Sequence, residues 1–187
     1  ALYALTDGIG NTAIGYQALD ACITSDFNTA VGWGAITAVN ADAESANTAV
    51  GYKAGWKITS GLRNTCIGET AGRDILGGSE NTCLGEGSGY QIEAGAANVC
   101  VGTESGDEIT NGNYNITIGY RASVGNATGD SQYIIGDSVL GTAATAIFIG
   151  NGTRHIRCDW GSDQTWDAGS DERIKTVTGD SPLGLDF

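Results

Sequence analysis

The sequence has no methionine, one proline and few charged residues, which make up 17% of its 187 positions. Since position 1 is not methionine, we expect the chain to be a piece of a longer or processed one. No apolar run approaches the ~20 residues that span a bilayer, and no signal peptide is visible. With 30 glycines and 41% apolar residues, the composition favours tightly turned β-structure over helices.

Positive charge is also scarce. Nine lysines and arginines stand against 22 acidic residues, a net charge of −13. Nucleic-acid binding depends on cations that neutralise phosphates, so we expect no nucleic-acid partner. An anionic membrane would repel the chain for the same reason, and we expect no membrane insertion. The acidic balance favours solubility and identifies no partner.

The cysteines form no recognisable pair. There are five of them, an odd number with no CxxC spacing: Cys22, Cys66, Cys83, Cys100 and Cys158. This is neither a disulfide framework nor a zinc pattern, and it fits folding in a reducing cytoplasm. We expect no metal and no cofactor.

A five-residue segment that begins with asparagine and ends with glycine recurs along most of the chain. Its seven copies end at Gly15, Gly32, Gly51, Gly68, Gly85, Gly102 and Gly119, in steps of 17, 19, 17, 17, 17 and 17 residues. Two weaker copies end at Gly136 and Gly150. The 19-residue step places its two extra residues between Val39 and Asn47. Such a repeat indicates a solenoid.

Other positions keep the same phase. A small residue lies three places after each glycine, and an apolar residue lies seven places after it. The small residues are Ala18, Ala35, Ala54, Ala71, Ser88, Ser105 and Ala122. The apolar residues are Cys22, Val39, Ile58, Ile75, Ile92 and Ile109. A 17-residue unit suits one coil of short strands, stacked about 4.8 Å above the last. We predict columns of equivalent residues, with asparagines hydrogen-bonded to each other at left-handed corners and glycines at bends or close backbone approaches.

The repeated strand carries apolar residues at adjacent positions, as in Ala13–Ile14 and Ile134–Ile135. Successive strand residues point to opposite faces, so both faces should be buried. One face can fill the interior of the coil. The chain offers no amphipathic helix to cover the other, and identical copies around a closed axis are the simplest cover. We therefore predict a homotrimer.

The recurring pattern NTAxGYxA, best seen at 11–18 and 47–54, resembles the head repeats of trimeric autotransporter adhesins. It resembles equally the same repeats in phage tail fibres. The likeness covers about residues 1–150. It implies an all-β, left-handed parallel β-roll, three chains side by side, and a role in surface attachment.

A second resemblance lies in residues 170–187. The segment GSDERIK, at 169–175, looks like the start of the intramolecular chaperone domain of endosialidase-type tail spikes and related phage fibres. That domain helps three chains assemble and then cuts itself off. The likeness implies Ser170 as nucleophile, Lys175 as its base, and a cut before Asp171. The adhesins end in a membrane barrel instead, so this motif favours the phage fibre.

Between these regions, Asn151-Gly152 lies between apolar runs, which is a strong hairpin signal. We predict a short β neck in residues 151–169, where three chains could interleave. The polar run after Trp160 is interpreted as a linker, and Trp160 and Trp166 as residues that pin the neck.

Several residues have two interpretations. Cys66, Cys83 and Cys100 share a column with alanines, which favours buried thiols over a metal site. Glu69 and Glu86, one period apart, either extend into solvent or share a cation.

Tyr16, Trp33 and Tyr52 fall in one column on three consecutive coils. They could stack on the sugars of a host glycan, or they could form a packing ladder or part of the trimer interface. Packing is favoured. His155 has no triad partner in view, so a solvated or interface role is preferred to a catalytic one.

The leading hypothesis is a structural and host-attachment segment of a trimeric phage tail fibre, located in the virion and assembled in the host cytoplasm. Its expected partners are two further copies, other tail or virion proteins, and a glycan or protein receptor on the host. We expect no enzyme activity beyond the self-cleavage. An adhesin head on a bacterial surface is the first alternative. A tail spike that degrades polysaccharide is the second, although no carboxylate pair stands out in the sequence.

Overall fold

The computed structural model describes residues 1–2, 7–22, 24–37, 39, 44–141, 146–159 and 166–169, in which there are strands and turns but no helix. Seven strands have three residues each: β1 (Thr12–Ile14), β2 (Thr29–Val31), β3 (Thr48–Val50), β4 (Thr65–Ile67), β5 (Thr82–Leu84), β6 (Val99–Val101) and β7 (Ile116–Ile118). Four longer strands follow: β8 (Tyr133–Asp137), β9 (Ala146–Asn151), β10 (Arg154–Asp159) and β11 (Trp166–Gly169).

Strands β1 to β9 pair in chain order, each parallel to the next. Equivalent repeat positions lie opposite each other, as Ala30 does opposite Ala49. The predicted parallel β-solenoid is therefore confirmed, with about eight coils of about 17 residues. The 19-residue step leaves this register intact, because Val39 is still in the buried column and Asn47 is again in the asparagine column.

The middle residue of each short strand points into the coil. Ala30, Ala49, Cys66, Cys83 and Cys100 are fully buried, and so are the two predicted columns of small and apolar residues that follow the glycines. These side chains form one continuous core cluster over most of the stack. Ala122, Ile134 and Phe148 belong to a second cluster that fills the last coils.

The glycines that end the strands lie where two coils approach most closely. Gly68 has a φ of +134°, and a Cβ added to it would be 2.5 Å from the carbonyl oxygen of Gly85 in the next coil. The same clash recurs at the equivalent glycines from Gly15 to Gly119. The prediction of a close backbone approach is thus confirmed, since any side chain here would push two coils apart.

The asparagines form a continuous buried ladder. Asn64 Oδ1 accepts hydrogen bonds from the backbone N–H of Asn81, at 3.0 Å, and from its Nδ2, at 3.1 Å. Asn81 Nδ2 also donates to the Gly95 carbonyl at 2.8 Å, and Asn81 Oδ1 in turn accepts from Asn98. The pattern begins at Asn11 and ends at Gln132, which donates to Asn115 through its backbone and side chain. The predicted ladder is confirmed.

The left-handed corner lies one residue earlier than predicted. No asparagine of the ladder has a positive φ; instead, the residue just before it does. These residues are Phe27, Ala46, Arg63, Glu80, Ala97, Tyr114 and Ser131, with φ between 46° and 62°. The backbone N–H of Glu80 donates to Leu62 of the coil before, at 2.8 Å. Such bonds between coils hold a conformation that these side chains do not themselves favour.

The solenoid ends in an antiparallel hairpin, as predicted. Strand β10 pairs with β9, and Ile156 lies opposite Ile149. The turn is one residue later than the Asn-Gly pair suggested, because Gly152 and Thr153 are its central residues. Asn151 Oδ1 accepts from the backbone N–H groups of Thr153 and Arg154 instead.

The prediction of a linker after Trp160 is partly wrong. Strand β11 adds to the hairpin, antiparallel to β10, with Ala168 opposite Ile156. Cross-strand pairing thus orders a polar, glycine-containing segment that has little strand propensity of its own. Trp166 begins β11, whereas Trp160 lies outside the described residues.

The ladder predicts a large effect for one buried asparagine. Replacing Asn81 with alanine leaves the backbone N–H of Asn98 and the carbonyl of Gly95 without these buried partners. We expect Asn81→Ala to lower the free energy of unfolding in urea by at least about 2 kcal/mol. Asn126→Ala is the control, because its side chain accepts hydrogen bonds from the backbone and hydroxyl of Thr128 in an exposed turn, where water can substitute. Equal losses in the two variants would contradict a stabilising role of the ladder.

Candidate functional site

The outer face of the sheet carries a continuous apolar column. It consists of the last residue of each short strand and its counterparts in the longer ones, and we call it the outer stripe. Its members are Ile14, Val31, Val50, Ile67, Leu84, Val101, Ile118, Ile135, Ile149 and Ile156. Ile14 is 61% exposed, and Ile67 and Ile149 are about 40% exposed. The stripe runs from the first coil into the hairpin.

The stripe is the outward half of the two-sided apolar strand predicted from sequence. The inward half is buried inside the coil, as expected. A single chain leaves the outward half in contact with water along the whole stack, far beyond the scattered apolar residues of an ordinary surface. Cover by further copies stays a prediction.

The three aromatic residues of one column stack against each other. The ring centroids of Tyr16 and Trp33 are 5.9 Å apart and those of Trp33 and Tyr52 are 5.2 Å apart, with interplanar angles near 20°. Trp33 therefore has a ring on either side, and its faces serve packing within the chain. All three side chains remain at least 39% exposed, so their edges and the outer faces of the end rings can still meet a ligand. The glycan platform stays a prediction.

The stacked cysteines are packed as an apolar column. Cys66, Cys83 and Cys100 are adjacent in register and fully buried. The neighbouring thiol of Cys83 and burial raise the pKa of Cys100 well above its usual value. In the residues that the structure describes, no group of three or more His, Cys, Asp or Glu side chains is placed to hold a metal ion. The interpretation as buried thiols is confirmed.

Glycines opposite the thiols make room for them. A Cβ on Gly72 would be 2.5 Å from the sulfur of Cys66, and a Cβ on Gly89 would be 2.5 Å from that of Cys83. The coils that carry Ala13 and Ala30 in the strand have Leu19 and Ile36 at the position of these glycines. The coil of Ala49 has Gly55 at this position, and there Ile58 and Ile36 take up the space.

The remaining sequence candidates are exposed or structural. Glu69 and Glu86 are both exposed, as the solvent interpretation predicted. A Cβ on Gly85 would be 2.7 Å from the backbone of the next coil, so this glycine is required by the close approach of the two coils. The ring of His155 packs on Phe148, with centroids 5.6 Å apart, so its role is in hairpin packing.

A shallow groove brings together carboxylates from two neighbouring coils. Glu86, Glu104 and Asp107 line it, together with Tyr90 and, further along, Arg121. Partial burial, Glu108 and Glu104 raise the pKa of Asp107. Glu104 forms a close ion pair with Arg121. The repeat pattern does not single out these residues, because they lie in different columns whose proximity depends on the path of the coil.

Ser170 and Lys175 lie outside the described residues, and so does the bond before Asp171. No family model matches the chain, and it matches neither a curated protein nor a solved structure. Within the described residues, there is no helix of the length and apolarity needed to cross a membrane.

The cysteine column predicts unreactive thiols. Because the thiolate is the nucleophile, a raised pKa and full burial should make alkylation of Cys100 at pH 8 at least about 100-fold slower than in the unfolded chain. Peptide mass spectrometry after timed iodoacetamide treatment measures the rate at each cysteine. The same treatment in guanidinium chloride is the control. Rapid labelling of Cys100 in the folded protein would show that the core is open.

Proposed function

We propose that this chain is the structural and host-attachment segment of a homotrimeric phage tail fibre, exposed on the virion and assembled in the host cytoplasm. Three copies of the solenoid, coiled in the left-handed sense of the β-roll family, lie side by side. The proposal is supported by the head-like repeats and by the outer stripe. Further copies, other tail proteins and a host receptor are its partners.

The outer stripe carries the proposal. It is apolar at every coil from Ile14 to Ile149, it is continuous, and no other segment of the described chain covers it. Burial of such a column is favourable by about 25 cal/mol for each Å² of apolar surface removed from water. Identical stripes on parallel copies can cover one another around a common axis, and a closed ring of three is compatible with rotational symmetry.

The hairpin of β9 and β10 extends the same surface. Ile156 lies opposite Ile149 and is 46% exposed, so the stripe passes without a break from the parallel coils to the antiparallel strands. We propose that three such hairpins form the β neck and that the chaperone segment begins at residue 170. The three proposed units are thus residues 1–150, 151–169 and 170–187.

The same architecture would also suit an adhesin head on a bacterial surface. The Ser170–Lys175 motif supports the phage fibre, because the adhesin has a membrane barrel in its place. A polysaccharide-degrading spike would need a pair of working carboxylates. The groove at Glu104 and Asp107 is where this chain could carry them, so turnover of host capsule or lipopolysaccharide that is lost in Asp107→Asn would favour the spike.

The trimer predicts a specific molar mass. Light scattering coupled to size exclusion should give three times the 19.1 kDa of the chain. Ile67→Asp places a charge in the middle of the stripe, and burial of an unpaired carboxylate is strongly unfavourable. We expect this variant to dissociate to a lower mass at micromolar concentration.

Leu76→Asp is the matched control, since Leu76 is as exposed as Ile67 but lies outside the stripe. It should remain trimeric. Circular dichroism of both variants checks that the coils still fold. A wild-type chain that is monomeric at all concentrations would contradict the proposal.

Self-cleavage is a separate prediction. Intact-mass spectrometry of the product expressed from the complete gene should show a cut between Ser170 and Asp171. Ser170→Ala removes the nucleophile and should leave the chain whole, and Lys175→Met should slow the cut because the base is lost. An intact wild-type product would refute the assigned motif, although the solenoid could still form a trimer.

A further inference from the structure

The cations of this acidic chain are concentrated in one part of the solenoid. Between Glu44 and Glu69 the sequence has Lys53, Lys57 and Arg63 and no carboxylate. Elsewhere acidic residues outnumber basic ones, giving the net charge of −13. The third and fourth coils therefore present a local region where an anion can approach an otherwise repulsive molecule.

Lys53 differs from its neighbours in having no carboxylate within salt-bridge distance in the described structure. Lys57 pairs with Asp74 at 3.0 Å, and Arg63 pairs with Glu80 at 3.2 Å. Arg73 and Arg121 also have acidic partners: Arg73 shares Asp74 with Lys57, and Arg121 pairs with Glu104. The charge of Lys53 is thus available to an anion from outside.

Aromatic rings surround this ammonium group. Lys53 Nζ lies 3.9 Å from the ring centroid of Trp56 and 5.4 Å from those of Trp33 and Tyr52. The rings attract the cation and hold it at the surface beside the aromatic column. An ammonium placed against rings retains N–H groups on its outer side, which can donate charge-assisted hydrogen bonds to an anion.

We propose that Lys53, with Trp56 and Tyr52, binds an acidic sugar of a host-surface glycan. The lysine donates to the sugar carboxylate, and the rings contact the apolar C–H face of the sugar. Exposed Glu69, which follows Tyr52 in the same column, repels an anion and limits the site on that side. This inference rests on the proposed attachment function and names the class of ligand.

Two properties favour a sugar acid over other anions. Three partly exposed aromatic rings offer stacking surface that a simple inorganic anion would leave unused. A nucleic acid would require many cations along a path, whereas this region has three, two of them already paired.

The test uses the assembled protein and immobilised alginate, polygalacturonate and polysialic acid as probes, with methyl-esterified polygalacturonate and alginate as uncharged counterparts. We expect binding to at least one acidic polymer and loss of that binding on esterification. Lys53→Met keeps the length of the side chain and removes the charge, and it should weaken binding about tenfold or more.

Lys57→Met is the matched control, because it removes a neighbouring charge whose ammonium group is held by Asp74. It should bind within about twofold of wild type. Molar mass is measured for each variant, so loss of the trimer is recognised as a failure of the proposed function. A trimer that binds none of the acidic polymers, that binds the esters equally well, or that is insensitive to Lys53→Met overturns the inference.

Discussion

The register between coils is the constraint on which the rest of this structure depends. In the middle of the stack, each buried asparagine accepts two hydrogen bonds from the next asparagine and donates to a carbonyl of the following coil, as Asn81 does with Asn98 and Gly95. A slip of one residue would break all of these bonds and would turn every inward side chain outward. The ladder therefore fixes which residues lie inside, and it explains why the 19-residue coil places its extra residues away from the strand.

A thin interior leaves little room for variation within a coil. Ala30 in the strand is accompanied by Ile36 on the opposite side of its coil, and Cys83 is accompanied by Gly89. The coil of Ala49 has Gly55 there, and Ile58 takes up the space. The Cβ of any larger residue at Gly89 would meet the Cys83 sulfur at 2.5 Å. The cysteines are best understood as volume-matched core residues, because close packing requires each cross-section to be filled without overlap.

Periodicity in the sequence predicted most of the fold, since a 17-residue repeat identifies which residues share a column and therefore the strands, the core and the ladder. It could not identify which residue at a corner takes the left-handed conformation. Phe27, Arg63 and Glu80 have nothing in common as side chains, and bonds between coils impose their φ values. Strand β11 was missed for a related reason, because its order comes from pairing with β10 and its own residues have weak β-propensity.

The site was less predictable than the fold. The aromatic column was visible from spacing, but the place of Lys53 among its rings depends on side-chain directions that a repeat does not encode. The carboxylates around Asp107 come from separate columns and meet because of the curvature of the coil. Residues 170–187 lie outside the described residues, so the self-cleavage motif has the sequence alone as its basis.

The inner and outer columns are under different constraints, and this difference shows where binding specificity can reside. The asparagine, glycine and core columns keep their residue types over many coils, because any change disturbs two neighbouring coils. The outer column after the glycine changes freely, from Tyr16, Trp33 and Tyr52 to Glu69 and Glu86. Changes there alter only surface contacts. A solenoid of this kind can therefore acquire a new ligand by substitutions in its outer columns while the ladder and the core hold the same fold.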